Sequence, residues 1–214
     1  MAISKVQGAF FRAEADGSVT CPFTDTPTEG NLMVAFCHGN AALINASISG
    51  WTLAVSTQCT GTFFATIFYK VAGAAESKDV TITWTGSTDT SIVIMEWTGL
   101  TATPLDQIAN ANYTGAVNTK TSGTTATTTV ADELCIAGFK MGNTTSAASW
   151  SNSFILENAH AEGIFYVGSL VATSVWEAET TLSWTTDRYC GGLIATFKGV
   201  TAGVAYIPKV IMVM

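Results

Sequence analysis

His38 and His160 are the only imidazoles in this 214-residue chain, so histidine-based acid, base or nucleophilic chemistry has little to draw on. His38 follows the apolar run LMVAFC beside Gly39-Asn40, where it reads as a loop or strand-end imidazole with a partner, not a catalytic base. His160 stands in ENAHAEG with Glu157 and Glu162. These are ligand types that suit a cation, but their spacing matches no recognised site and a solvated loop is the simpler account. Glu96, inside IVIMEWTG, is the acid whose setting needs explaining, because a carboxylate in an apolar strand is costly unless paired. We expect it to be a cross-strand hydrogen-bond or ion-pair partner. DRYCGG at 187 to 192 reads as a turn with a tight backbone path. No GxSxG elbow, phosphate loop or HExxH occurs. Cys21, Cys37, Cys59, Cys135 and Cys190 are an odd, widely spaced set without a CxxC pair, expected to be reduced buried thiols and not a disulfide frame or zinc site. No catalytic residue, cofactor or metal is assigned.

The elements that position these residues are strands. Apolar periodicity of the helical kind is nearly absent, and short β-branched and aromatic runs alternate with Gly, Asn, Asp and Ser clusters about every ten residues. Strands are expected at Val6-Arg12, Val19-Phe23, Asn31-His38, Trp51-Thr57, Thr62-Val71, Val80-Thr85 and Ser91-Gly99 in the first half. In the second they are expected at Thr125-Val130, Glu133-Met141, Ser153-Glu157, Gly163-Val171, Thr180-Thr185 and Gly192-Gly199. Turns are expected at PTEGN (27 to 31), GSTD (86 to 89), TSGTT (121 to 125) and KMGN (140 to 143). DQIANANYTG, in the long uncharged joining segment, has the alternation of an edge strand.

The chain also repeats itself. TITWTGSTDTSIVIMEWTGL at 81 to 100 returns as TLSWTTDRYCGGLIATFKGV at 181 to 200, with Thr81/Thr181, Trp84/Trp184, Thr85/Thr185, Ile94/Ile194 and Gly99/Gly199 matched without a gap. NLMVAFCHGN at 31 to 40 is echoed by ELCIAGFKMGN at 133 to 143, and FFATIFYKVAG more loosely by IFYVGSLVATS. The expected fold is therefore all-β: a jelly-roll-like two-sheet sandwich with an internal pseudo-twofold duplication. A single domain spans 1–202, its repeat halves at about 29–100 and 131–200, with strands of the halves interleaved. Two separate hundred-residue sandwiches are the other arrangement considered. Alternation puts Ile82 and Trp84 on one face and Thr81, Thr83 and Thr85 on the other, so the tryptophans are packing residues first.

Composition narrows function by exclusion. Apolar residues make up 48% and charged residues only 12%, about half the usual charged share, so much of the surface is Thr, Ser, Asn, Gly and apolar, a surface suited to burial in assemblies. Net charge −7 with nine scattered Lys and Arg offers no basic stripe for nucleic acid. MAISKVQGAFFRAEADG lacks the apolar core of a secretory signal, and no run is long enough to span a bilayer. The apolar tail 203–214, GVAYIPKVIMVM, is expected to need covering, in cis as an added edge strand or in trans by strand addition. Its Tyr206, Ile207, Val210, Ile211, Met212 and Val213 are the candidate intersubunit contacts.

The ordered set EGNLMVAF, SGWT, FYKVAG, VTITW, IVIMEWTGLTATPLD and DELCIAGF resembles a β-sandwich domain of phage and prophage genomes that also occurs in some large bacterial surface proteins. The resemblance covers about positions 29 to 200. It implies one non-enzymatic domain on a virion or cell exterior, and transfers no catalytic residue. The expected function is a capsid decoration or cement subunit. It would be made in the host cytoplasm without a signal peptide and displayed on the virion surface. The major capsid protein would be its partner, in a homo-oligomer taken as a trimer. The competing function is a carbohydrate- or receptor-binding module using loops near Trp51, Trp150 and Trp176. A hydrolase on the same scaffold is the least favoured.

Overall fold

The computed structural model describes residues 2–40, 45–59, 63–145, 148–159 and 163–200, without the side chains of 13–16, 40 and 86–88. Thirteen strands are found among the described residues. The first half carries β1 (Ser4–Pro22), β2 (Leu32–Asn40), β3 (Ser47–Ile48), β4 (Thr52–Gln58), β5 (Phe63–Val71) and β6 (Asp79–Thr98). The second carries β7 (Leu100–Ala111), β8 (Ala116–Thr121), β9 (Asp132–Met141), β10 (Ser149–Trp150), β11 (Ile155–Ala159), β12 (Phe165–Thr173) and β13 (Thr181–Gly199).

The pairing corrects one expectation. Every strand pairing is antiparallel and joins strands of the same half, so the halves are not interleaved. Sheet one runs β1-β6-β2-β5-β4 with β3 on β6, and sheet two runs β10-β13-β9-β12-β11 with β7 and β8 on β13. Put β9 for β2, β12 for β5, β11 for β4, β13 for β6 and β7 plus β8 for β1, and the two orders coincide. Pairing within a half closes shorter loops than pairing across halves, which costs less chain entropy.

The longest strands explain how each half buries two faces. At about 3.3 Å per residue a straight β6 would span roughly 65 Å, yet Ile82 and Trp84 from its beginning share one core with Ile92 and Ile94 from its end. The strand therefore bends back over itself. Between Asp16 and Ser18 the β1–β6 register slips, at Gly17 with φ 79°, and the β8–β13 register slips between Ser183 and Arg188. Bulges of this kind re-aim a strand without ending it. The expected turns at 86 to 89 and 187 to 192 are thus bends inside continuous strands, and the paired short strands expected there are single elements.

Three cores follow from the alternation. Leu32, Val34, Phe36, Val93, Met95 and Trp97 of sheet one meet Leu134, Ile136, Phe165, Leu193, Ala195 and Phe197 of sheet two in a central core, which gives the molecule its sandwich character. On the far side of each sheet the bent strand ends close a further core, around Met33, Ala35, Ile82 and Trp84 in one half and Cys135, Ala137, Leu182 and Trp184 in the other. Trp84 and Trp184 pack as the alternation predicts, while Thr83 and Thr85 face out.

Two local expectations change. Thr125–Val130 is not a strand but carries one isolated bridge, Thr127 with Glu177. Its hydroxyls take over part of the pairing: Thr125 Oγ1 accepts from the Ala178 N–H at 2.8 Å and Thr128 Oγ1 from the Trp176 N–H at 3.2 Å. The joining segment is no free linker, because β7 and β8 both pair with β13 and β7 forms a sheet edge, as DQIANANYTG suggested. The chain enters β7 through Gly99 at φ +85°, where a Cβ would lie 2.6 Å from the Ala2 carbonyl oxygen, a place only glycine fits.

Candidate functional site

Glu96 is fully buried and held as its setting required. Gln7 Nε2 donates to one carboxylate oxygen at 2.6 Å; Asn31 Nδ2, at 2.6 Å, and the Thr28 N–H, at 2.8 Å, donate to the other. Three donors from β1, the loop before β2 and the entrance of β2 are thereby pinned to β6. The group is a clasp, with its acceptor capacity spent inside the fold.

The second half builds its clasp from a different residue, which a reading centred on Glu96 and its counterpart Thr196 overlooks. A shift of 102 places Glu133 where Asn31 stands, at the entrance of β9, and Glu133 is fully buried beside Asp106 of β7. Asp106 accepts from the Thr129 N–H at 2.6 Å and the Thr129 hydroxyl at 2.7 Å, with Lys198 Nζ 3.8 Å away. Burial raises Asp106, but hydrogen bonds from Glu133 and Thr129 and the Lys198 charge outweigh it and hold the carboxyl below the usual range. Burial first, and then the bond to Asp106, pushes Glu133 up to about 7. The Thr196 hydroxyl and the Val130 N–H favour its carboxylate form, but burial and Asp106 outweigh them. Its protonated form donates to Asp106.

Carboxyls driven apart in this way are what acid–base catalysis uses. Access decides against that role here: Glu133 is 0% exposed and the Asp106 side chain 4%. A neighbouring cavity of about 490 Å³ touches Leu105 and Lys198 but neither carboxyl. The pair clasps β7 to β9, as Glu96 clasps β1 to β6.

His38 lies inside β2, not in a loop, with its ring 4.7 Å from Phe165 of the other half. Lys140, its counterpart at a shift of 102, sits with Nζ 4.8 Å from the ring of Phe63, again across the halves. Burial lowers Lys140 to about 8. Glu157 is committed to Lys5 of β1 at 2.5 Å and to the Ser169 hydroxyl, so it is not part of an open cation cluster; His160 and Glu162 lie outside the described residues. All five thiols are free and buried, and burial pushes Cys21 up to about 11 and Cys59 and Cys135 up to about 12, which makes them poor nucleophiles. In DRYCGG a Cβ at Gly191 would lie 2.7 Å from the Gln58 carbonyl oxygen. The tight backbone path is found, inside a strand.

The tryptophans singled out as loop contacts pack inward. Trp150 stacks on Phe154 with centroids 5.9 Å apart and meets Phe139 edge-on at 5.4 Å, while Trp51 and Trp176 pack against the outer cores of their halves. Tyr206, Ile207, Val210, Ile211, Met212 and Val213 lie outside the described residues.

What remains on the surface is concentrated at the sheet edges. Seven of the eleven large exposed apolar side chains among the described residues lie on four of the strands paired on one side only: Val6, Phe10 and Phe11 on β1, Leu53 on β4, Ile108 on β7, and Ile155 and Leu156 on β11. An open edge already offers unpaired backbone groups, and apolar side chains along it make it a template for another chain. No helix among the described residues is long and apolar enough to cross a membrane, and no group of His, Cys, Asp and Glu among them is placed to hold a metal ion. Comparison with protein-family models, with curated proteins and with solved structures returns no match to this chain.

Proposed function

We propose that this chain is a non-enzymatic structural subunit of a phage virion, a decoration or cement protein whose edges bind neighbouring subunits such as the major capsid protein and further copies of itself. The observation that carries the reading is the concentration of exposed apolar side chains on the edge strands β1, β4, β7 and β11, joined to the family resemblance of the motifs. Burying them in an assembly would contribute about 25 cal/mol per Å² of apolar surface and would satisfy the open edges at the same time. The matching strand orders, with counterparts at shifts of 100 to 103, further support an origin by internal duplication and a pseudo-twofold relation of the halves.

The test is light scattering of the full chain beside a Leu156→Lys, Ile155→Lys variant, together with thermal release of genome from particles carrying or lacking the protein. We expect a discrete oligomer, its loss in the variant, and more heat-resistant particles when the protein is bound. A monomer at all concentrations with no effect on particles would sink the reading.

A further inference from the structure

We infer that a cleft between the halves is a binding site for a neutral saccharide. It encloses about 300 Å³, the lower end of the roughly 300–1,000 Å³ typical of small-molecule sites, which suits one or two sugar rings. The outward faces of β4 and β5 supply an apolar floor of Leu53, Phe64 and Phe68, while Gln58 and, from the other half, Asn110 and Asn112 form the rim.

The chemistry of the lining selects the ligand class. Among the described residues no ionisable side chain lines the cleft, so charged ligands find no counterion from them. Aromatic carbon suits the C–H face of a sugar, and amides suit its hydroxyls, as both donors and acceptors. The amides are also free to be used. Asn112 Oδ1 is spent inward, accepting from the Thr57 hydroxyl at 3.1 Å and the Gln58 N–H at 3.0 Å. That fixes the amide and leaves its NH₂ as the group available to a ligand. Among the described residues, the side-chain amides of Gln58 and Asn110 have no hydrogen-bond partner. Two uncommitted amides and the free NH₂ of Asn112 therefore line one cleft over an apolar floor, anchored on two halves that share one core. This site is separate from Trp51, Trp150 and Trp176, and it does not depend on the assembly reading.

The experiment is an amide NMR titration of the full chain with the methyl glycosides of glucose, galactose and N-acetylglucosamine, and with maltose. A short uncharged Gly-Thr-Asn-Gly peptide serves as the competitor. We expect at least one sugar to give saturable shifts in the side-chain amide signals of Gln58, Asn110 and Asn112. Ser56→Trp fills the cleft from an exposed lining position and should abolish them with the circular dichroism unchanged. Asn110→Ala should weaken binding about three- to tenfold, the worth of one hydrogen bond. Absence of saturable shifts with all four sugars overturns the inference. Shifts that persist in Ser56→Trp overturn it too, as does displacement by the peptide at equal affinity, which would make the cleft a peptide groove.

Discussion

The two halves of the molecule solve the same packing problems with different residues, and the exchanges are local and compensated. Where the first half has Ile48 and Phe68 in its outer core, the second has Trp150 and Gly168 at the matching positions, and a Cβ on Gly168 would lie 2.9 Å from the indole ring. At the centre, Phe36 projects from β2 into the space left by its own counterpart, Gly138 of β9, whose missing side chain the Phe36 ring overlies. Two phenylalanines related in this way would collide. The buried carboxylate likewise moves from β6 in one half, Glu96, to β9 in the other, Glu133. Strand order and the direction each side chain faces are kept while volume is redistributed between neighbours, as close-packed interiors require.

The largest expected effect lies at the centre. Phe36→Gly should cost about 3–5 kcal/mol as a cavity opens, and Gly138→Phe alone should prevent folding by overpacking. The double exchange should recover most of the loss. Urea denaturation of the three variants checks this, and simple additivity would break the claim that the halves trade volume across the seam. A step smaller, Trp150→Ile should cost about 2–4 kcal/mol, and adding Gly168→Phe should restore part of it by converting the second half to the packing of the first.

The carboxylates sharpen the comparison because the same change should have opposite signs. Glu96→Gln turns an amide toward donors that need an acceptor and should destabilise by about 2–3 kcal/mol near neutral pH. Glu133 has a folded value raised to about 7 from 4.5. Its favourable contribution is full below the unfolded value and is lost as pH rises through about 7. Glu133→Gln should therefore match the parent near pH 5 and exceed it by about 1–2 kcal/mol near pH 8. Denaturation midpoints of both variants across that range decide it; a Glu133→Gln penalty that grows with pH would break the assignment. The smallest effect is expected at the edges. Leu156 is 51% exposed, so Leu156→Lys should change monomer stability by no more than about 0.5 kcal/mol while weakening self-association, read by melting temperature against solution mass.

Much of this was legible beforehand. The strand pattern in TITWTG located Ile82 and Trp84 inside, the gapless match at 181 to 200 located their counterparts, and the apolar company of Glu96 announced that it would be paired. The bend in β6 was not legible, because GSTD has turn chemistry and only the contact of Ile82 with the core of Ile92 and Ile94 reveals that the strand continues through it. Glu133 was overlooked because its partner Asp106 lies 27 positions away on another strand. Aligning it with Asn31 would have drawn attention to it.

By itself, the sequence determined the all-β class of fold, the inward face of Ile82 and Trp84 and the matching segments of the two halves, because alternation and turn chemistry act between near neighbours. The tertiary structure alone decided that strands sort by half, that Phe36 fills the place of Gly138, that two carboxyls meet beside Lys198, and that three amides from different halves share one cleft. Each depends on contacts between residues far apart in the chain, whose cost and reward are settled only when the sheets close on one another.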